Sequence, residues 1–185
     1  MFGYPLFLNL KGQKCLVFGG GEVALRKIKA LLKRGANVTC VSREFSKELK
    51  RLAGAGLVPA RLRTPRRGAP LLKLKYSHGN YISLNGARLV IAATSERDFN
   101  ARVAKACRRK KIWVNVVDEP ELCDFYVPAV VERGPLQIAI STAGASPLFA
   151  KRLREELEKV IPASTGKLLE KLGKMRRTSL RGTMR

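Results

Sequence analysis

An apolar segment that leads into a glycine-rich turn most constrains what this chain can fold into. Residues 13–18 are mostly apolar, and three consecutive glycines at 19–21 follow them. Apolar residues then recur at helical spacing over 22–34, and Gly35 is a typical helix stop. A second strand is predicted over 37–42, which completes a β-α-β unit of about 30 residues. This beginning predicts an α/β protein with a parallel sheet.

The glycine turn has the spacing G-x-G-x-x-A, formed by Gly19, Gly21 and Ala24. Such a turn places backbone N–H groups and a helix N-terminus where a pyrophosphate can bind. The spacing alone is a weak signal, but the strand before it and the helix and strand after it agree with a nucleotide site. The alternative is a glycine turn that serves only the close packing of helix and strand.

A dinucleotide site also needs a ribose contact about 20 residues after the turn. Ser42, Arg43 and Glu44 lie at the end of the second predicted strand. Glu44 is suited to hold a ribose diol, whereas Arg43 is suited to a 2′-phosphate. The residues therefore leave NAD and NADP both open.

The α/β pattern returns in the second half of this region. Strands are predicted over 88–93 and 112–117, with a helix over 96–110 between them. Thr94 and Ser95 are candidate caps for that helix.

Asp118 follows the last of these strands. Carboxyl ends of parallel strands meet at one edge of a sheet, so Gly21, Thr94 and Asp118 should share one rim. A carboxylate there can act as a general base. Equally, Asp118 can serve only to turn the chain before Pro120, and its position does not decide between the two roles.

The segments between these elements are less regular. A helix is predicted over 45–53, and residues 57–82 are interpreted as a strand near 57–62 followed by a basic loop. His78 is the one histidine of the chain and has no neighbouring cysteine. We therefore expect a solvated loop histidine and no metal site.

The pattern changes after residue 120. A strand is predicted over 136–141, followed by a turn of small residues. Ser146 is predicted as a helix N-cap with Pro147 in the first helical position. That helix should run to about residue 160, with a last helix over 165–177 and a basic, frayed end.

The chain is strongly basic, with 37 Lys and Arg against 14 Asp and Glu and a formal charge of +23. Such a charge attracts polyanions, which include nucleic acids and small molecules with many carboxylates. No apolar run approaches the length of a membrane span, and residues 1–5 lack a basic region followed by an apolar one, so we expect neither a membrane partner nor a secretory signal. The four cysteines are scattered, so reduced thiols in the cytoplasm are expected.

Four motifs together resemble the precorrin-2 dehydrogenase family, which also forms the N-terminal part of siroheme synthase. In chain order they occupy residues 19–27 with 35–39, 86–94, 115–118 and 141–147. The resemblance covers about residues 3–162, and four motifs in the correct order are far more specific than one.

The resemblance implies NAD-dependent oxidation of precorrin-2 to sirohydrochlorin, on the way to siroheme. It implies a homodimer with a Rossmann-like NAD-binding domain at 1–127, a dimerisation segment at 128–159 and a helical tail at 160–185. In some relatives the same protein also inserts ferrous iron. The basic composition suits a polycarboxylate tetrapyrrole.

The turn and the resemblance together assign roles to particular residues. Asp118 matches the aspartate with a catalytic role, and Thr142 and Ser146 are the predicted substrate contacts. The predicted cofactor contacts are Gly19, Gly21, Glu22, Val23, Ala24, Arg43, Glu44 and Thr94.

Two other functions fit part of the pattern. A dinucleotide-sensing nucleic-acid-binding module would explain the charge, but the sequence has no helix-turn-helix and only 6% aromatic residues. A tetrapyrrole carrier without catalysis is the second alternative. We therefore expect no specific nucleic-acid partner.

Overall fold

The computed structural model describes residues 3–54, 71–77 and 82–182. The chain forms two compact units: one over Pro5–Tyr126, and one that combines the residues before Pro5 with those from Val127 onward. The strand predicted near 57–62 and the solvated histidine predicted at 78 lie outside the described residues.

The first unit is a five-stranded parallel sheet with flanking helices, which confirms the predicted Rossmann-like class. Strand order is β3-β2-β1-β4-β5, so the order reverses between β1 and β4. Open sheets of this kind bind ligands beside that reversal. The elements are β1 (Lys14–Phe18), α1 (Glu22–Lys33), β2 (Asn37–Ser42), α2 (Lys47–Gly54), β3 (Leu72–Tyr76), β4 (Leu89–Ala92), α3 (Arg97–Arg109) and β5 (Trp113–Val116).

Alternation along the strands divides the core between the two faces of the sheet. On β1, Cys15 and Val17 pack with α1 and α2. Leu16 and Phe18 point to the other face and pack with α3. Both faces are covered, which is why these strands are continuous apolar runs.

Helix α1 ends as the sequence predicts. Gly35 has a φ of +78°, a left-handed conformation that favours glycine. Its amide donates to the carbonyl of Leu32 at 2.9 Å, and the amide of Ala36 donates to Leu31. The last helical carbonyls are thereby satisfied before β2 begins.

Strand β3 corrects the interpretation of 57–82 as a strand followed only by a basic loop. Leu72 and Leu74 alternate with Lys73 and Lys75, and the leucines pack on the core while the lysines are exposed. This is an edge strand paired with β2, and charged residues are common on such edges. Two apolar positions were too few to reveal it against the surrounding basic residues.

The second unit is an antiparallel hairpin with two helices. Its elements are β6 (Ala129–Arg133), β7 (Leu136–Ile140), α4 (Pro147–Val160) and α5 (Ser164–Gly182). Strand β6 was not predicted, and α5 runs to Gly182 rather than ending at 177. Ser146 is the N-cap of α4 and Pro147 its first residue, as predicted.

Arg133 joins the hairpin to the end of α4. Its guanidinium donates to the carbonyls of Ile161 at 2.9 Å and Glu158 at 2.6 Å. Carbonyls at a helix C-terminus lack helical donors and carry partial negative charge, so a guanidinium stabilises this end.

Within the described parts of the chain, no helix has both the length and the apolar character that a membrane crossing needs.

The thiols give a direct test of this packing. Burial raises the pKa of Cys15 to about 11 and the pKa values of Cys40 and Cys107 to about 12. Thiolates are the reactive form, so at about pH 8 we expect these three residues to resist iodoacetamide until the protein unfolds. Mass spectrometry after labelling with and without urea measures this.

The same pKa shifts predict a loss of stability at high pH. Thiols of the unfolded chain have an ordinary pKa of 9.0, so they lose their protons before those of the folded chain. The free energy of unfolding should therefore fall as pH rises above about 9.

In the labelling experiment, reaction of Cys40 with iodoacetamide at the same rate in native and unfolded protein would contradict the packing described.

Candidate functional site

A cavity of about 730 Å³ lies at the carboxyl edge of the parallel sheet. It is lined by the glycine turn after β1 and by the residues that follow β2 and β4. This is the side of the strand-order reversal, and the volume is within the range of about 300–1,000 Å³ found for small-molecule sites.

The cavity brings together most of the predicted cofactor contacts. Ala24 differs, because it is buried in α1 and packs into the core. The predicted contacts that line the cavity are Gly19, Gly21, Glu22, Val23, Arg43, Glu44 and Thr94.

Gly19 brings the turn against the end of β4. Its φ is +117°, and a Cβ there would overlap the backbone carbonyl of Ala93. Its amide donates to the carbonyl of Val41 at 2.9 Å. Any side chain at this position would therefore separate the turn from its neighbours.

Gly20 brings the same turn against the chain after β2. A Cβ on Gly20 would overlap the carbonyl of Glu44 and lie 2.9 Å from Oγ of Ser42. The Gly20 carbonyl accepts a hydrogen bond from the amide of Ser46 at 2.9 Å. The sequence fingerprint uses the first and third glycines, so it missed the second, which is equally confined.

Gly21 differs from both, because a Cβ there would meet nothing within 4 Å. Gly21 is the N-cap of α1, with no side-chain hydrogen bond to the cap, and the amide of Leu25 makes the first helical bond to its carbonyl. The amides of Glu22 and Val23 precede that bond and belong to residues that line the cavity, so they are available to a ligand. Open space at a helix N-terminus with its partial positive charge fits a dinucleotide phosphate.

Two of the charged residues that line the cavity follow β2. Arg43 and Glu44 are exposed. Nη1 of Arg43 lies 2.9 Å from Oε1 of Glu96, which is the N-cap of α3. This ion pair joins the loops that follow β2 and β4.

Thr94 is held by a buried residue that the sequence did not single out. Its hydroxyl donates to Oδ1 of Asn100 at 2.7 Å, and Nδ2 of Asn100 donates to the Thr94 carbonyl at 3.0 Å. Asn100 is only 3% exposed. Thr94 and Ser95 were expected as caps of α3, but the N-cap is Glu96, because the helix begins at Arg97.

Asp118 follows β5 at the same edge of the sheet. It is exposed and left-handed, with a φ of +61°. It shares this edge with Gly21 and Thr94, as expected, but it is not among the residues that line the cavity. The reason is the strand order, since β5 lies one strand beyond β4.

Lys27 on α1 is the charged neighbour of Asp118. Burial and the charge of Arg26 lower the pKa of Lys27, while Cys123 and Asp118 raise it. The Asp118 carboxylate therefore lies within electrostatic reach of the Lys27 ammonium.

The predicted substrate contacts lie in the second unit, at the start of α4. Oγ of Ser146 accepts a hydrogen bond from the amide of Phe149 at 3.1 Å. Oγ1 of Thr142 accepts one from the amide of Ser146 at 3.2 Å. Both hydroxyls keep their own proton for donation. Their roles in binding stay predictions.

Comparisons with known proteins show which family the chain resembles. The family described as putative NAD(P)-binding matches residues 6–129, and the family described as sirohaem biosynthesis protein central matches 133–159. A siroheme synthase from Methylococcus capsulatus is 45% identical over 164 residues, and one from Methylobacillus flagellatus is 41% identical over 164. These matches cover 89% of this chain and 32% of each relative.

This chain matches a solved structure over a larger share of that protein's length than it matches the siroheme synthases. The structure of SirC, precorrin-2 dehydrogenase, superposes with a TM-score of 0.72 at 30% identity, covering 94% of this chain and 79% of that one. The chain belongs to the precorrin-2 dehydrogenase and siroheme synthase family. The predicted NAD(P)-binding domain is confirmed, and the chain spans about a third of the siroheme synthases it matches.

The open space at Gly21 gives a test of the family's cofactor site in this chain. We expect Gly21→Ala to weaken NADH binding at least about tenfold, or about 1.4 kcal/mol, because the methyl group occupies the place of a phosphate. The free energy of unfolding should change by less than about 1 kcal/mol. Calorimetric titration and urea unfolding measure the two effects.

Gly54→Ala is the matched control, since a Cβ at Gly54 also meets nothing within 4 Å and Gly54 lies outside the cavity. Wild-type affinity in Gly21→Ala would place the dinucleotide elsewhere.

Proposed function

We propose that this chain oxidises precorrin-2 to sirohydrochlorin with NAD, as a step of siroheme biosynthesis. The observation that carries the proposal is a phosphate-compatible cavity at the sheet reversal, in a chain that resembles SirC over 94% of its length. NAD, when bound, supplies the hydride acceptor.

The chain's own residues would hold that cofactor. Amides at the start of α1 would bind the phosphates, and the glycine turn would let the backbone approach them. Arg43 and Glu44, which line the cavity after β2, would contact the adenosine ribose. Thr94, fixed by Asn100, forms the wall after β4.

Asp118 is proposed to accept the proton that accompanies oxidation. Its carboxylate is exposed, and it lies within electrostatic reach of the Lys27 ammonium. A left-handed conformation is tolerated by Asp more readily than by most residues, so the fold can present it there. Strained backbone of this kind is often found at functional sites.

The substrate is proposed to be held by charge and by hydroxyl donors. A chain with a formal charge of +23 attracts a polycarboxylate tetrapyrrole. Thr142 and Ser146 would donate to its carboxylates.

Other assignments stay predictions. They are the domain limits of 1–127, 128–159 and 160–185, a cytoplasmic location and insertion of ferrous iron as a second substrate. In the ranges that the structure describes, no three His, Cys, Asp or Glu residues are grouped as a metal site.

A homodimer is also proposed, formed through the second unit. Exposed apolar side chains on one helix favour a partner surface. On α4 these are Leu148, Phe149, Leu153 and Val160.

The dimer can be tested on α4. Phe149→Glu combined with Leu153→Glu should give a monomer, because both side chains are exposed one helical turn apart. Light scattering during gel filtration measures the mass. Arg152→Glu, an exposed site on the same helix, is the control and should stay dimeric. A monomeric wild type, or a dimeric double variant, would overturn the proposal.

The catalytic role of Asp118 can be tested with its closest isostere. Asn tolerates the left-handed backbone as Asp does, so Asp118→Asn should fold normally. We expect kcat for NAD-dependent precorrin-2 oxidation to fall about 10²–10⁴-fold, the usual contribution of a general base. NADH affinity should be retained, since Asp118 lies outside the cavity.

Glu119→Gln removes the adjacent carboxylate, which pairs with Arg97 at 3.4 Å, and serves as the control. It should keep kcat within a few-fold. An Asp118→Asn enzyme that is equally active would remove Asp118 from the mechanism.

A further inference from the structure

Among the described residues of the cavity, acidic side chains outnumber basic ones, although the chain as a whole is strongly basic. Among the described residues that line the cavity, Glu22, Glu44 and Glu96 face one basic side chain, Arg43. A phosphate group added to the cofactor would therefore enter a site with more carboxylates than cations.

Arg43 is already engaged by one of these carboxylates. Its Nη1 lies 2.9 Å from Oε1 of Glu96, while Glu44 follows Arg43 directly in the chain. Arginine after the second strand is the residue type that accommodates a 2′-phosphate in dinucleotide sites. The carboxylate offsets the charge of a guanidinium paired in this way, and it also repels a phosphate that approaches the remaining N–H donors.

Glu96 is held in a position from which it pairs with Arg43 and would repel a 2′-phosphate. It is the N-cap of α3, and its amide donates to Oγ1 of Thr94 at 3.2 Å. Thr94 is in turn fixed by the buried Asn100. Glu96 is therefore anchored through the loop after β4, whereas Arg43 reaches it from the loop after β2.

We infer that Glu96 is a specificity-determining residue, which makes the cavity select NAD over NADP by occupying Arg43. The inference rests on the proposed NAD-dependent function and extends it to the choice between the two dinucleotides. Arg43 then serves NAD binding as part of the cavity wall rather than as a phosphate ligand.

The test compares NADH and NADPH binding to four forms of the full chain by calorimetry. These are wild type, Glu96→Gln, Arg43→Ala and the double variant. Removing the carboxylate should raise the ratio of NADPH to NADH affinity at least about fivefold, because an exposed ion pair is worth up to about 1 kcal/mol and like-charge repulsion is also lost. This increase in the ratio of NADPH to NADH affinity should become smaller when salt is added.

Asp98→Asn is the matched control, since Asp98 is an exposed acid two residues along the same helix start and does not line the cavity. Its affinity ratio should equal that of wild type. The gain should also disappear when Glu96→Gln is made in the Arg43→Ala background, because the mechanism needs the guanidinium.

Each other outcome is decisive. An unchanged ratio in Glu96→Gln, an equal gain in Asp98→Asn, or a gain that persists without Arg43 would overturn the inference. Failure of wild type to bind NADH at all would instead overturn the proposed function, so the two failures are distinguishable.

Discussion

Close backbone contact between the glycine turn and its two neighbouring strand ends is the constraint on which this site depends. Gly19 lies against the carbonyl of Ala93 and Gly20 against that of Glu44, with no space for a Cβ at either place. Because both contacts are between backbones, the turn fixes the loops after β4 and β2 with respect to β1. The open position at Gly21 then becomes the floor of a cavity rather than a packing contact.

Basic and acidic residues are distributed differently in this molecule. A basic chain suits a polycarboxylate substrate, while glutamates line the cofactor cavity. An α-helix N-terminus supplies positive potential for phosphates without any lysine or arginine. In the proposed function, the dinucleotide phosphates would therefore be bound at the start of α1, and the basic residues of the chain would attract the substrate. Asp118 lies outside the cavity and within electrostatic reach of Lys27, where a substrate rather than the dinucleotide phosphates would meet it.

Much of this was predictable from sequence because strand, turn and helix signals agreed with one another. The turn at 19–24, the stop at Gly35 and the cap at Ser146 follow from local backbone requirements, and the structure has them there. Strand β3 depends on a partner strand distant in the chain, and the Thr94–Asn100 bonds depend on a polar side chain that only the folded core buries, so local patterns do not encode them. The Arg43–Glu96 pair likewise forms only when two loops meet.

The most direct test is anaerobic incubation of the wild-type protein with precorrin-2 and NAD, with NADH followed by absorbance. The proposed chemistry requires that NADH appears in a one-to-one ratio with sirohydrochlorin, because each oxidation transfers one hydride. It also requires that precorrin-2 persists when NAD is omitted. Consumption of precorrin-2 at the same rate without NAD, or no NADH formation with it, would contradict a dehydrogenase that uses the cavity at the glycine turn.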